Sequence, residues 1–196
     1  MTAGLVITVD AVIAAAGYVA HQAGDDGHGL GVASTVALIA AAVALAGVLI
    51  TNVVNMRTAR VNRMGGIYAD ALGAVSDYLE APYRVRRKDE TAAHRNQISG
   101  DISAVQSRID HSKALLRLNA PKAVADAFDE FVKVARQEAG AQISEAWDLP
   151  PVTDATQMHM SEAYPRERSI AARKGLVTVM QRDLERWFPA RSQRKG

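Results

Sequence analysis

At 196 residues, with a formal net charge of +2 and no cysteine, the chain has room for one membrane unit and one modest soluble domain, and disulfides, thiolate metal sites and cysteine nucleophiles are excluded. So mild a charge lacks the dense basic face of a dedicated nucleic-acid binder, and no nucleic acid is expected as a partner. Hydrophobic residues make up 48% of the chain, an ordinary share, so the information lies in where they fall.

Their distribution is lopsided. Residues 1–55 hold three acids, Asp10, Asp25 and Asp26, and neither Lys nor Arg, whereas residues 56–196 carry all 23 basic residues against 18 acidic ones. The shift at Met56 marks a domain boundary, with a transmembrane unit over 1–55 and a helical bundle over 56–196. Basic residues are mostly Arg and Ala is abundant, a composition that GC-rich genomes, actinobacterial or phage, tend to produce.

The stretch from Ala3 to Ala20 is apolar over 18 residues and broken only by Asp10. A cleaved signal peptide needs a positive first region, and an interfacial helix wants basic residues on its polar face; this stretch has neither. It is therefore read as a first transmembrane helix. Asp10 is then either an intramembrane functional acid, neutral through desolvation or paired across subunits, or a side chain reaching the interface from a shallow helix. The connection from His21 to Gly29 is short and rich in Gly and Asp, as a tight turn between antiparallel helices would be. His21, Asp25, Asp26 and His28 have metal-competent side chains, but their spacing matches no ligand signature, and they are read as a solvated turn.

From Leu30 to Val54 the chain carries no charge at all, and Arg57 is the first after it. As a helix this run is about 35 Å long, enough to cross a hydrocarbon core of about 30 Å with some tilt. Small residues recur at spacings of three and four, at Ala33, Ala37, Ala40, Ala44, Gly47 and Thr51, and in the first helix at Gly4, Thr8, Ala11 and Ala15. Such stripes let helix backbones approach closely in lipid, within a hairpin or between copies. Arg57, Arg60 and Arg63 form a basic anchor after the span, so the positive-inside rule places the bundle and both termini in the cytoplasm of a cell with an inner membrane.

Met64, Ile67, Ala71, Val75 and Tyr78 predict a helix over about 56–80, with Gly65-Gly66 as a candidate bend and Pro82 ending it. Arg84, Arg86, Arg87 and Lys88 follow as a basic cluster, read either as an interaction surface or as a solvated turn. Ile98, Ile102, Val105, Ile109 and Leu116 predict a second bundle helix over about 92–118, with Ser112 in an apolar place. Val124, Phe128, Phe131, Ala135, Ala139, Ile143 and Trp147 predict a third over about 121–147, stopped by Leu149-Pro-Pro151. Residues 152–164 lack a helical period. Ile170, Val177, Met180, Leu184 and Trp187 predict a fourth over about 165–188. The expected fold is all-α: a two-helix transmembrane hairpin followed by a cytoplasmic antiparallel four-helix bundle.

No phosphate loop, dinucleotide fingerprint, His-Glu-x-x-His or nucleophile elbow occurs, and His94, His111 and His159 stand far apart. Neither a catalytic site nor a cofactor is expected. The leading expectation is a non-enzymatic membrane-anchored interaction or scaffold protein whose partners are the bilayer and another protein or itself. Two others compete with it. One is an oligomerising membrane effector of the phage-exclusion or abortive-infection type, which would be toxic and depolarising. The other is a small-ligand sensor, which would need a cavity inside the bundle.

Overall fold

A computed structural model describes residues 30–154 and 163–187, and every regular element among them is helical. The chain divides into two units, Met1–Ala59 and Arg60–Gly196. The expected first helix with Asp10, and the turn with His21, Asp25, Asp26 and His28, lie outside the described residues.

Helix α1 runs from Leu30 to Leu79. No proline interrupts that stretch, and Ala, Leu and Val dominate its first half, so nothing in the backbone breaks the ladder. Gly65 and Gly66 lie inside the helix, which is not interrupted there. From residue 39 to 54 its large side chains are apolar and exposed. Val43, Val48 and Leu49, at roughly 100° per residue, point to three different sides, yet they are 67%, 40% and 57% exposed. An 18-residue window of this region has mean hydropathy 2.0 with none of it buried, so the helix is long and apolar enough to cross a membrane. A helix with no polar face is ill suited to water.

Past Arg60 the same helix becomes amphipathic. Met64, Tyr68, Ala71, Val75 and Tyr78 are buried at spacings of four and three, one stripe of a 3.6-residue repeat. Glu80 N–H closes the last turn on Ser76 O at 3.1 Å. Pro82 brings no N–H of its own, and a short helix α2, Ala81–Arg86, starts with it in the first turn. The basic cluster is thus partly helical, with Arg84 and Arg86 in α2, because Pro82 restarts a helix as readily as it stops one.

Helix α3 spans Ala92–Asn119 and is capped by Thr91, whose hydroxyl accepts from His94 N–H at 3.2 Å. Asp89 holds that cap in place by accepting from Thr91 N–H and Oγ1–H at 2.8 and 2.7 Å. Thr91→Ala should therefore lower stability by about 0.5–2 kcal/mol in thermal or urea denaturation. Helix α4 runs Lys122–Asp148 and helix α5 Glu167–Glu185.

Contacts between the long helices pair in opposing order. Arg117 meets Asp129 while Arg136 meets Asp110, so α3 and α4 are antiparallel. Gln142 donates to Pro165 O while Arg168 and Ser169 bond Glu138, so α4 and α5 are antiparallel too. Tyr68 meets Asp183 while Arg166 meets Glu80, which sets α5 against α1 in the same sense. The result is an up-down four-helix bundle. Phe128, Phe131, Ile109, Leu116, Val75 and Leu176 lie at its centre with essentially no exposure. A smaller cluster of Val85, Ile98 and Ala146 extends it under α2.

The stripe expected on α5 holds at Met180, which is buried, and at Leu184, which packs against the core, and is displaced by one residue at Ile170 and Val177. Ile170 is 64% exposed, and Ser169, Leu176 and Asp183 face inward beside Met180. Two of the four buried residues are polar, so a hydrophobicity pattern alone misses them. Each polar member has a partner: Ser169 bonds Glu138 through both its N–H and its hydroxyl, and Asp183 accepts from Tyr68.

Glu138 thereby caps α5 from the neighbouring helix, accepting from Arg168 N–H at 3.1 Å and Ser169 N–H at 2.9 Å, two of the donors that a helix start leaves orphaned. Burial pushes its carboxyl upward, but the Ser169 and Arg168 hydrogen bonds outweigh that and hold it below the usual glutamate range. A depressed carboxylate stabilises the fold above its unfolded pKa, and that contribution is lost as pH falls through the folded value. The melting-temperature gap between wild type and Glu138→Gln should be full at pH 6 and shrink towards pH 3.

Candidate functional site

Arg60, the first residue of the second unit, opens a cleft at one end of the bundle. The α3–α4 connection contributes Leu118 and Asn119, and the end of α5 contributes Asp183, Arg186 and Trp187, around a volume of about 380 Å³. Pro121 stops α3 and restarts the chain as α4, which fixes the connection in a short extended stretch at Ala120.

The Arg60 guanidinium lies over the Trp187 ring, 4.3 Å from its centroid. Contact with a ring face leaves the terminal N–H groups of a guanidinium free to meet acceptors. Arg60 Nε is buried and finds no hydrogen-bond partner among the described residues. Below it Tyr68 donates to Asp183 Oδ2 at 2.6 Å. Burial, and next the bond to Asp183, push the Tyr68 phenol up, so it remains a donor at any physiological pH. With Asp183 engaged by Tyr68, the cleft carries two cations, Arg60 and Arg186, against one carboxylate. Leu118, at its rim, is 81% exposed.

The three residues expected as a membrane anchor fare differently. Arg57 and Arg63 are exposed, whereas Arg60 is half-buried on Trp187. Trp187 had been placed in the hydrophobic stripe of the last helix; it follows that helix and serves as the platform for Arg60.

The basic cluster of Arg84, Arg86, Arg87 and Lys88 is divided between exposed and buried positions. Arg84 and Arg87 are exposed, and Arg86 approaches Pro150 O at 3.4 Å. Lys88 is only 2% exposed, and its ammonium donates to Ala146 O and Leu149 O, both at 2.6 Å. The ammonium also lies over the Trp147 ring, 5.6 Å from its centroid. Burial first, then the nearby Arg95 and Arg86, hold the Lys88 pKa below the usual lysine range. Leu149-Pro-Pro151 explains the arrangement. The carbonyl of Ala146 would ordinarily receive the N–H of residue 150, and Pro150 has none. A lysine from the α2–α3 connection supplies the donor instead, and Val152 N–H ties the strap back to Lys88 O at 2.8 Å.

Tyr83 of α2 and Tyr164 meet edge to face at 5.0 Å, and Arg166 lies 5.0 Å from the Tyr83 centroid while it bonds Glu80 and Leu79 O. His94 pairs with Asp89 at 3.1 Å and His111 is exposed, so they do not converge. Among the described residues no group of three or more His, Asp or Glu could hold a metal ion.

No protein-family model, no curated protein and no solved structure matches this chain.

Proposed function

We propose that the chain is a non-enzymatic, membrane-anchored interaction protein, in which a two-helix hairpin over 1–55 displays the helical bundle to the cytoplasm. The observation that carries this reading is the apolar stretch of α1 from residue 39 to 54, whose large side chains are exposed on every side among the described residues. Exposed apolar area of that extent marks a surface made for lipid or for other chains. Arg57, Arg60 and Arg63 follow it directly, and the residues before it contain no Lys or Arg, which favours a cytoplasmic bundle, with the N-terminus on the same side if residues 3–20 span.

Self-association is the part of this function closest to test. Ala40, Ala44 and Gly47 lie on one side of α1, and among the described residues a Cβ added at Gly47 meets nothing within 4 Å, which leaves room there for a second helix. With no native cysteine, single Gly47→Cys and Leu49→Cys chains can be oxidised in native membranes. Self-association through the small-residue side gives disulfide-linked dimers from position 47 and few from position 49, which points about 200° away. Equal yields at both, or none at either, would leave the bundle to act on a different protein and remove the span as an assembly surface.

A further inference from the structure

We infer that the Arg60–Trp187 cleft is a receptor for the phosphate of an anionic phospholipid headgroup, which docks the end of the bundle on the membrane in which the chain is anchored. The inference rests on the membrane reading of α1 and adds a ligand to it. Four observations converge. The cleft has a net positive lining, with Arg60 and Arg186 against an Asp183 already satisfied by Tyr68. Its volume of about 380 Å³ falls in the range of about 300–1,000 Å³ typical of small-molecule clefts. The Arg60 guanidinium is held over the Trp187 ring, and its buried Nε has no partner among the described residues, so the arginine is positioned before an acceptor arrives without its donors being spent inside the bundle. The rim pairs an 81% exposed Leu118 with a half-buried Trp187 beside these cations, the mixture of apolar, indole and basic groups that suits a headgroup layer.

Covalent reach selects a lipid as the source of the phosphate. Met56 ends the apolar part of α1, and four residues of chain span at most about 14 Å, so Arg60 stays within that distance of it in any arrangement. If Met56 marks the edge of the hydrocarbon, the nearest phosphates to the cleft are those of the bilayer itself. Arg60 is both an anchor residue by sequence and a ligand-binding residue by geometry.

The full chain carrying Trp147→Phe, so that Trp187 is the sole indole, is reconstituted into bilayer discs of phosphatidylcholine with increasing phosphatidylglycerol and a headgroup-labelled nitroxide lipid. Quenching of Trp187 is expected to grow with the anionic fraction, and Arg186→Gln to raise the fraction needed for half the effect about fivefold, the loss of one basic contact at an anionic surface. Arg186 is exposed, so this variant keeps the fold, and circular dichroism checks that it does. Adding inorganic phosphate to phosphatidylcholine discs separates the sources. A saturating Trp187 response to phosphate that phosphatidylglycerol does not reproduce would overturn the lipid as ligand. Trp187 emission and quenching that are the same in every lipid, in phosphate and in Arg186→Gln would overturn the site. Failure of the chain to enter discs at all would overturn the membrane reading, and the lipid ligand with it, and is distinguished because no protein then co-purifies with lipid.

Discussion

A cysteine placed at Ala41 should react with a maleimide in native membranes orders of magnitude more slowly than one at Ser103, and adding Val43→Asp with Gly47→Asp should bring the two rates together. Both Ala41 and Ser103 are exposed on their own helices, so packing inside the chain does not distinguish them. What distinguishes them is the medium. A thiol in hydrocarbon cannot form the thiolate that reacts, whereas Ser103 lies on the polar outer face of α3. Positions 43 and 47 lie near the middle of the run from Leu30 to Met56, where each carboxylate opposes insertion by about 2.5–3.5 kcal/mol, so the pair removes about 5–7 kcal/mol. Two acids at i and i+4 also repel each other on one side of the helix. If Ala41→Cys reacts as fast as Ser103→Cys in the unaltered chain, this stretch of α1 meets water or a loosely bound partner and does not span.

The second large effect is expected at Lys88. Lys88→Met keeps most of the buried stem but removes the donor to Ala146 O and Leu149 O. Two charge-assisted bonds of about 1.5–3 kcal/mol each are lost, and the desolvation cost of the ammonium is recovered in part, which leaves a net destabilisation of about 2–4 kcal/mol by urea denaturation. Arg84→Met and Arg87→Met, on exposed members of the same cluster, should stay within about 0.5 kcal/mol of wild type. A Lys88→Met chain as stable as the arginine variants would mean that the carbonyls at the end of α4 find water, and that the lysine is no cap.

These two residues and the helices around them show how far the pattern of a sequence carries. The periodic positions of α3 and α4 are legible because their buried faces are apolar almost without exception. Val105, Ile109 and Leu116, and Phe128, Phe131 and Ala135, all fall in the core where the spacing puts them. The register of α5 is not legible in the same way, since Ser169 and Asp183 take inward positions through partners on α4 and α1, and hydropathy does not see partners. Glu138 escapes notice for the same reason: it caps a helix 29 residues further along the chain, at Glu167.

Lys88 reads as one more charge in a basic run, and only the pairing of Leu149-Pro-Pro151 with an unfinished helix end hints that a donor must arrive from elsewhere. That signal was present. A helix followed by two prolines cannot close its own last carbonyls, so a buried lysine or arginine is the natural remedy. The cleft was legible only in parts, with Arg60 assigned to the lipid anchor and Trp187 to the core. Their meeting depends on α1 and α5 running antiparallel over the full length of the bundle, which brings residues 127 positions apart into contact.

The most direct test of the account is the sidedness of the chain in intact cells. Single cysteines replace Gly27 or Ser192, and whole cells are exposed to a membrane-impermeant maleimide before and after lysis. A hairpin with a cytoplasmic bundle predicts that position 27 is labelled in intact cells and position 192 only after lysis. Labelling of position 192 in intact cells would contradict it, placing the bundle outside and turning the search for partners to the envelope and the medium.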